Sequence, residues 1–303
     1  MKRTECFKIR ILVSNDPFKK IGINKIKDIR CAHKFSFAEP TTIVADPFIF
    51  VKDDTLYLFY ENKKMYHNGI ISMTKTTDLI NWSKPTEVLK ESCHLSYPWV
   101  FEMNGHIYMI PETSGLKEIR LYEGNKDLTK FTYKKTILKD QKEISNGFSF
   151  SDTSIYKRGD YYYMMTTVND GIKNELKLYM SKHFDCNYEE HPMSPISYDN
   201  KYGRNAGSMF EHAGTLYRVA QNCEKRYGDN VNLLEVKELS PKVYKENVVE
   251  NNIISGNNVF YKEGGHQFNM VKFKGKYIIA TDAKEYHYFF LNRIFHKLGV
   301  YGG

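Results

Sequence analysis

DPFIFVKDDTLYLFYE, residues 46–61, decides the fold because the chain repeats its pattern five times. The other copies are YPWVFEMNGHIYMIPE (97–112), DTSIYKRGDYYYMMTT (152–167), AGSMFEHAGTLYRVAQ (206–221) and QFNMVKFKGKYIIATD (267–282). They align without a gap, and their starts lie 51, 55, 54 and 61 residues apart. Each copy reads as a strand, a tight turn and a second strand. The turns carry Asp53-Asp54, Asn104-Gly105, Gly159-Asp160, Ala213-Gly214 and Lys274-Gly275, pairs suited to the positive φ that two-residue hairpins require. Aromatic-rich strands follow each turn, and GIISMTKT (69–76), EIRLYEG (118–124), LKLYMSK (176–182) and VNLLEVKEL (231–239) supply further strands between the copies. About 50 residues and four strands per unit is the signature of a propeller blade. The reading is therefore all-β: a five-bladed β-propeller over residues 1–285 and a short helical tail over 286–303. An irregular β-sandwich would have no reason to space five hairpins so evenly.

Composition agrees. Tyr 23 and Phe 19 in 303 residues favour strands over helices. Nothing resembles a run of about 18 apolar residues, so no spanning helix is expected. The N-terminus, MKRTECFKIRILVSNDPF, has too short an apolar core for a signal peptide. Cys6, Cys31, Cys93, Cys186 and Cys223 are odd in number and scattered, as reduced thiols would be. These features predict a cytoplasmic protein, including one at the inner face of the membrane. The net charge of +8 suits an anionic partner such as a nucleotide, a phosphosugar or a membrane surface, although a lysine-rich solvated surface gives the same sum. The charge is spread along the chain with no nucleic-acid-binding motif, which argues against nucleic acid.

In a propeller the first strand of each blade lines the central channel, so residues at the repeat starts should converge on one funnel. Those are Ala45-Asp46, Ser96-Tyr97, Ser151-Asp152, Asn205-Ala206 and His266-Gln267. The last repeat positions, Glu61, Glu112, Thr167, Gln221 and Asp282, have no direction that sequence alone can assign. Asp46 and Asp152 occupy equivalent starts, and two carboxylates with separated pKa values can perform acid–base glycosyl chemistry. An Asp opening a strand also serves as a turn residue that bonds its own backbone. There is no phosphate loop, HExxH, zinc spacing, nucleophile elbow or DxD pair. No cofactor is required; a divalent cation in the channel is compatible with the residues.

The repeat resembles the five-bladed superfamily of family-43, family-32 and family-68 glycoside hydrolases, whose blade I opens with an Asp-Pro like Asp46-Pro47. A closer resemblance covers nearly the whole chain. ADPFIF (45–50), HLSYPWVF (94–101), YMIPE (108–112), GRNAG (203–207), LYRVAQ (216–221), Tyr227-Gly228 and GGHQFN (264–269) resemble the N-terminal propeller domain of plant glucosamine inositolphosphorylceramide transferases and its stand-alone bacterial relatives near polysaccharide genes. The hydrolase resemblance implies Asp46 as general base or nucleophile and Asp152 as the residue that orients and tunes the site. It also implies a Glu acid near the start of blade IV, where this chain has Gly203-Arg204-Asn205-Ala206-Gly207. Arg204 donates no proton at ordinary pH and clamps anions instead. That moves the expectation from cutting glycosidic bonds toward making them from a nucleotide-linked or lipid-linked sugar phosphate.

Around Asp46, Asp152 and Glu112 we expect Tyr97, Arg204, Asn205, Arg218, Gln221, Tyr227, His266, Asn269 and His94 to contact substrate. A lone His is more often a structural group, Arg218 could pair across blades, and Trp99 and Trp82 read as packing residues. The tail, YHYFFLNRIFHKLGVY (286–301), has apolar residues at helical spacing among Arg293, His296 and Lys297. It reads as a basic amphipathic helix that either contacts a membrane surface or docks on the propeller. Three functions remain: a glycosyltransferase-like enzyme of cell-surface polysaccharide or glycolipid assembly, with Asp46 as base and Arg204 and Arg218 on an anionic donor; a family-43-like hydrolase with Glu112 or Glu102 as acid; and a non-catalytic sugar-binding propeller serving a partner transferase.

Overall fold

The computed structural model describes residues 3–18, 24–31, 38–139, 149–169, 173–254 and 259–301. The chain opens with β1 (Thr4–Ser14) and β2 (Asn24–Ile29). Blade I is β3 (Thr41–Lys52), β4 (Thr55–Lys64), β5 (Ile70–Thr76) and β6 (Thr86–Leu89). Blade II is β7 (Ser96–Met103), β8 (His106–Glu112), β9 (Glu118–Gly124) and β10 (Phe131–Lys139). Blade III is β11 (Phe150–Arg158), β12 (Tyr161–Asn169), β13 (Asn174–Ser181) and β14 (Glu189–Glu190), with β15 (Ser197–Tyr198) also on β13. Blade IV is β16 (Phe210–His212), β17 (Thr215–Asn222), β18 (Asn230–Leu239) and β19 (Tyr244–Glu250). Blade V joins β20 (Phe268–Phe273) and β21 (Lys276–His287) to β1 and β2, in the order β2-β1-β21-β20. A short helix, α1 (Phe290–Lys297), follows.

The five-bladed β-propeller expected from the repeat is thus the fold. The hairpin turns have the backbone that two-residue loops require: Asp53 and Asp54, Asn104 and Gly105, Ala213 and Gly214, and Lys274 and Gly275 have positive φ, whereas in the Gly159-Asp160 turn only Gly159 does. The sequence places the N-terminal segment in the propeller without giving it strands. β1 and β2 form the outer half of blade V, with β1 antiparallel to β21 from Thr4↔His287 to Ser14↔Tyr277. Pairing the first strand with the last closes the ring and leaves no open edge between the chain's two ends. The alternating FKIRIL of residues 7–12 was the available signal, and Ile9 and Ile11 are buried.

Apolar side chains form a core at each blade junction. Phe59 and Met73 of blade I meet Val100 and Met109 of blade II, and Trp99 and Tyr108 of blade II meet Ile155 and Met164 of blade III. Met165 and Leu176 meet Leu216 and Val236 between blades III and IV. Val219 and Leu233 meet Met270 and Ile279 between IV and V, and Ile9 and Ile278 meet Ile49 and Leu58 where V returns to I. The aromatic-rich second strand of each hairpin feeds both neighbours because its side chains alternate between the two faces of the blade. Trp99 is accordingly core, stacked on Phe101 at 4.3 Å. Trp82 packs against the blade V–blade I core, with its Nε1–H on Leu79 O (3.3 Å).

Blade IV departs from the repeat. Its inner strand begins at Phe210 rather than at position 206, and residues 206–209 run irregularly toward blade V. Ala206 O accepts the Phe268 N–H at 2.7 Å, and Gly207, at φ +152°, lies so close that an added Cβ would stand 2.1 Å from Phe268 O. Gly207→Ala is therefore expected to lower stability by about 2–3 kcal/mol, read as an earlier urea midpoint with an unchanged slope.

Candidate functional site

The repeat starts do converge, and the backbone explains how. In blades I, II and III the first repeat residue sits in a β-bulge: the ladder skips from Ala45 to Phe48, from Ser96 to Trp99 and from Ser151 to Ser154. Asp46, Tyr97 and Asp152 take positive φ there, at 50°, 44° and 54°. Such conformations cost of order 1–3 kcal/mol for residues other than Gly, and surrounding structure must hold them. Pro47 and Pro98 follow in the bulges, where no ladder N–H is needed. The last repeat positions reach the same mouth: Ala45 pairs with Glu61, Ser96 with Glu112 and Ser151 with Thr167. An antiparallel hairpin returns to the end it left, which settles the direction that the repeat alone left open.

Asp46 is buried and densely held. Its Oδ2 accepts the Tyr97 N–H (3.1 Å), and its own N–H donates to Asp282 Oδ2 (3.2 Å). His266 Nε2 stands 3.8 Å from Asp46 Oδ1, while His266 Nδ1 is 2.6 Å from Asp282 Oδ2. Asp282 Oδ1 accepts the N–H groups of His266 (2.8 Å) and Gln267 (3.1 Å). Burial raises the Asp46 pKa to about 6, with Asp282 and Asp152 pushing the same way and His266 and the Tyr97 N–H opposing. For His266, burial works against the cation, but Asp282 and then Asp46 outweigh it and the pKa rises. The ring is fixed by stacking on Phe7 (4.6 Å) and by the edge of Tyr227 (5.2 Å).

Blades III and IV supply the second half. Arg204 Nε donates to Asp152 Oδ2 at 2.6 Å, and the guanidinium lies 5.1 Å over the Tyr227 ring. Gln221 Nε2 reaches Asn205 O (2.8 Å) and Asp152 Oδ2 (3.4 Å), and Asn205 Nδ2 donates to Asp152 O (2.8 Å). Asp152 engages Arg204 through Nε, and among the described residues no side chain or carbonyl is hydrogen-bonded to the two terminal nitrogens, which leaves them to an anion. Tyr227 stays 42% exposed above both halves, its carbonyl held by Lys284 Nζ (2.5 Å). Gly228, at φ +59°, lets this loop lie on His266, whose Cβ would be 3.0 Å from an added methyl.

A third group lines the blade I–II side. Glu61 is buried, and burial, then the charges of Asp46 and Glu112, hold its pKa well above the usual carboxylate range. His94 Nε2 is 3.2 Å from Glu61 Oε1, and Nδ1 accepts the Gly69 N–H at 2.9 Å. That acceptor places the proton of the neutral ring on Nε2, toward Glu61; burial, then Lys63, lowers the His94 pKa. Glu112 is half-buried and close enough for its charge to act on Glu61, Arg204 and Tyr227.

Among the expected contact residues, Arg218 does not reach the funnel. It is fully buried in a two-pronged pair with Glu246 (Nε–Oε2 2.7 Å, Nη2–Oε1 2.6 Å) and donates to Tyr202 O (3.1 Å). It lies on β17, where alternation turns it away from Gln221, an odd number of residues on. Tyr97 offers the site its backbone N–H, but its ring is buried edge-on against Phe48 (4.8 Å). Asn269 Oδ1 accepts the Ile49 N–H (2.9 Å) and ties blade V to blade I. Glu102 is exposed one residue from the hairpin turn, at the far end of β7. The residues missed as site groups are Asp282 and Glu61, both readable only once the direction of the second hairpin strand is known.

Asp46, His266 and Asp282 could hold a metal ion, since one donor atom of each lies within 4.8 Å of the others. Both Asp282 oxygens already accept hydrogen bonds, and the 2.6 Å contact to His266 Nδ1 suits a proton. Asp46 Oδ1 and His266 Nε2 are the open ligands, and a cation there would need water or substrate to complete its shell.

Comparison with known proteins assigns the chain to a family. The family described as glucosamine inositolphosphorylceramide transferase 1, N-terminal, matches residues 24–283. The chain belongs to this family. Glucosamine inositolphosphorylceramide transferase 1 of Oryza sativa subsp. japonica is 33% identical over 226 residues, 72% of this chain and 29% of that protein. Its namesake in Arabidopsis thaliana is 32% identical over 227 residues, 72% of this chain and 28% of that protein. The chain thus spans less than a third of these relatives. Among solved structures, a family 32 β-fructofuranosidase of Bombyx mori superposes with a TM-score of 0.59 at 14% identity, over 78% of this chain and 54% of that one. A family 117 glycoside hydrolase of Zobellia galactanivorans gives 0.54 at 10% identity, over 80% and 84%. At such identities these hydrolases share the fold. The family relates the chain to the N-terminal part of proteins named glucosamine inositolphosphorylceramide transferase 1.

Proposed function

We propose that the funnel transfers a sugar from a phosphate-linked donor to an acceptor hydroxyl in cytoplasmic assembly of cell-surface polysaccharide or glycolipid. The observation that carries this reading is that one funnel holds a buried carboxylate tuned to about 6, Asp46, and an arginine, Arg204, bonded to Asp152, where a hydrolase of this fold would place its acid. Asp46 takes the acceptor proton as the acceptor oxygen bonds to the anomeric carbon. The bond from that carbon to the phosphate oxygen breaks, and the electron pair leaves with the phosphate. A phosphate leaving group needs charge stabilisation more than protonation, which Arg204 can supply from its free edge. His266, backed by Asp282, holds Asp46 in place and balances its charge.

The test is turnover of nucleotide- and lipid-linked sugar phosphates with a panel of acceptors. Transfer with release of the phosphate carrier is expected. Arg204→Met should raise the donor KM about 10–100-fold while binding of neutral sugars changes little. Release of reducing sugar from unphosphorylated glycosides, dependent on Asp46, would instead make the protein a hydrolase. One observation favours a second reading, a sugar-binding propeller serving a separate transferase: the matched relatives carry more than two-thirds of their length outside this region. Calorimetric binding without turnover, with turnover appearing only when a partner transferase is added, would select it.

A further inference from the structure

The C-terminal helix is mounted inside out. α1 docks through Asn292, Arg293 and His296, and Phe289 is buried just before its first turn. Asn292 Nδ2 donates to Tyr301 Oη (2.8 Å), Arg293 Nη2 to Thr4 Oγ1 (2.9 Å), and the His296 ring stacks on Tyr66 at 3.6 Å. The opposite arc is apolar and open: Phe290 is 55% exposed, Leu291 45%, Ile294 37% and Leu298 71%, with Val300 at 55% just beyond. These residues stand at i, i+1, i+4 and i+8, one contiguous stripe. A helix that rests on a protein normally turns this stripe inward, so something else covers it.

Its position says what. β21 passes Asp282 at the funnel and runs on through Lys284 to His287 before α1 begins, so the helix stands on the funnel side of the ring. β4 passes Glu61 and leads to Tyr66 beneath the same helix, which places α1 at the rim between blades V and I. Beside it lies a groove of about 610 Å³ whose lining includes Arg3, Lys63, Arg293, Glu5, Tyr66 and Tyr286. Three cations face one carboxylate, and Glu5 is already engaged by Lys284 (3.0 Å). Two copies of this chain, each at +8, would bring like charges together across such a face; an anionic surface complements it.

We infer that this rim is a membrane-docking surface: α1 lies in the interface of an anionic bilayer with its apolar stripe among the acyl chains, the groove takes lipid phosphates, and the funnel opens toward the membrane. The stripe and cations alone support this surface, whatever the funnel does.

The test is co-sedimentation of the full chain with phosphatidylcholine vesicles made with and without phosphatidylglycerol. Binding to the anionic vesicles is expected, weakening with salt. The Phe290→Ser/Leu291→Ser/Leu298→Ser variant should bind at least about 10-fold less tightly at an unchanged melting temperature. Arg3→Gln/Lys63→Gln should lower binding only where phosphatidylglycerol is present, and Asp46→Asn should bind as the parent does. No binding to either vesicle, or equal binding by the serine variant, overturns the inference. So does a dimer that the serine variant dissolves without any vesicle binding, which would make the stripe a contact between copies.

Discussion

Asp46→Asn is expected to lower turnover by about 10²–10⁴-fold while sugar binding persists. Asn keeps an oxygen to accept the Tyr97 N–H, so the bulge should survive and only the proton acceptor is lost. With the parent, the rate should fall as pH drops through about 6, because the base must be deprotonated and burial lifts its pKa to that value. The same shift has a stability consequence of opposite sign. The folded state holds the Asp46 proton more tightly than the unfolded chain, whose Asp titrates near 3.8, so this group costs stability progressively as pH rises from about 4 to about 6. The full shift corresponds to about 3 kcal/mol at most, and His266 returns part of it through attraction to the carboxylate. Asp46→Asn should therefore melt about 2 °C higher near neutral pH, a net gain of roughly 1 kcal/mol. Full activity in a variant that melts normally would remove Asp46 from the chemistry.

Arg218→Ala should destabilise the protein by about 3–5 kcal/mol, since it strands Glu246 without its buried partner. Tyr244, which donates to Glu246 Oε2, would be left facing that uncompensated charge. Replacing both members with apolar residues, Arg218→Met with Glu246→Leu, should recover most of the loss, because a well-packed apolar pair avoids the desolvation penalty of two buried ions. Denaturant midpoints read both outcomes. A single variant that keeps its midpoint but loses donor affinity would return Arg218 to the binding site. Arg218 and Arg204 thus make a matched comparison: Arg218 commits its Nε and Nη2 to the Glu246 carboxylate and its Nη1 to Tyr202 O, whereas Arg204 bonds Asp152 through Nε alone.

The fold was legible because hairpin register is local. Turn pairs such as Asn104-Gly105 and the alternation around them need no partner elsewhere in the chain. Five copies then imply a ring, since each blade has two apolar faces and only neighbours can cover both. Ring closure was harder to read: the 4–14 strand pairs with 277–287, and no local pattern joins segments so distant. The site was legible to the extent that it follows the repeat. Asp46, Asp152, Arg204, Gln221 and His266 come together because the blades superpose. Arg218 was misplaced because its residue type suits a donor phosphate and a buried ion pair equally, and β19 supplies the carboxylate that decides between them.

The tail shows the same division. Apolar spacing in 286–301 was enough to predict a helix, yet the helix docks by its polar side, a choice made by Tyr66, Thr4 and Tyr301. The five-fold repeat and the residues at each blade start belong to the sequence alone, because strand, turn and strand are set by neighbours in the chain. The bulges that turn Asp46 and Asp152 into the funnel, the His266–Asp282 backing, the free edge of Arg204 and the outward face of α1 belong to the tertiary structure. Each depends on charges and contacts between segments tens to hundreds of residues apart, which become neighbours only when the ring closes.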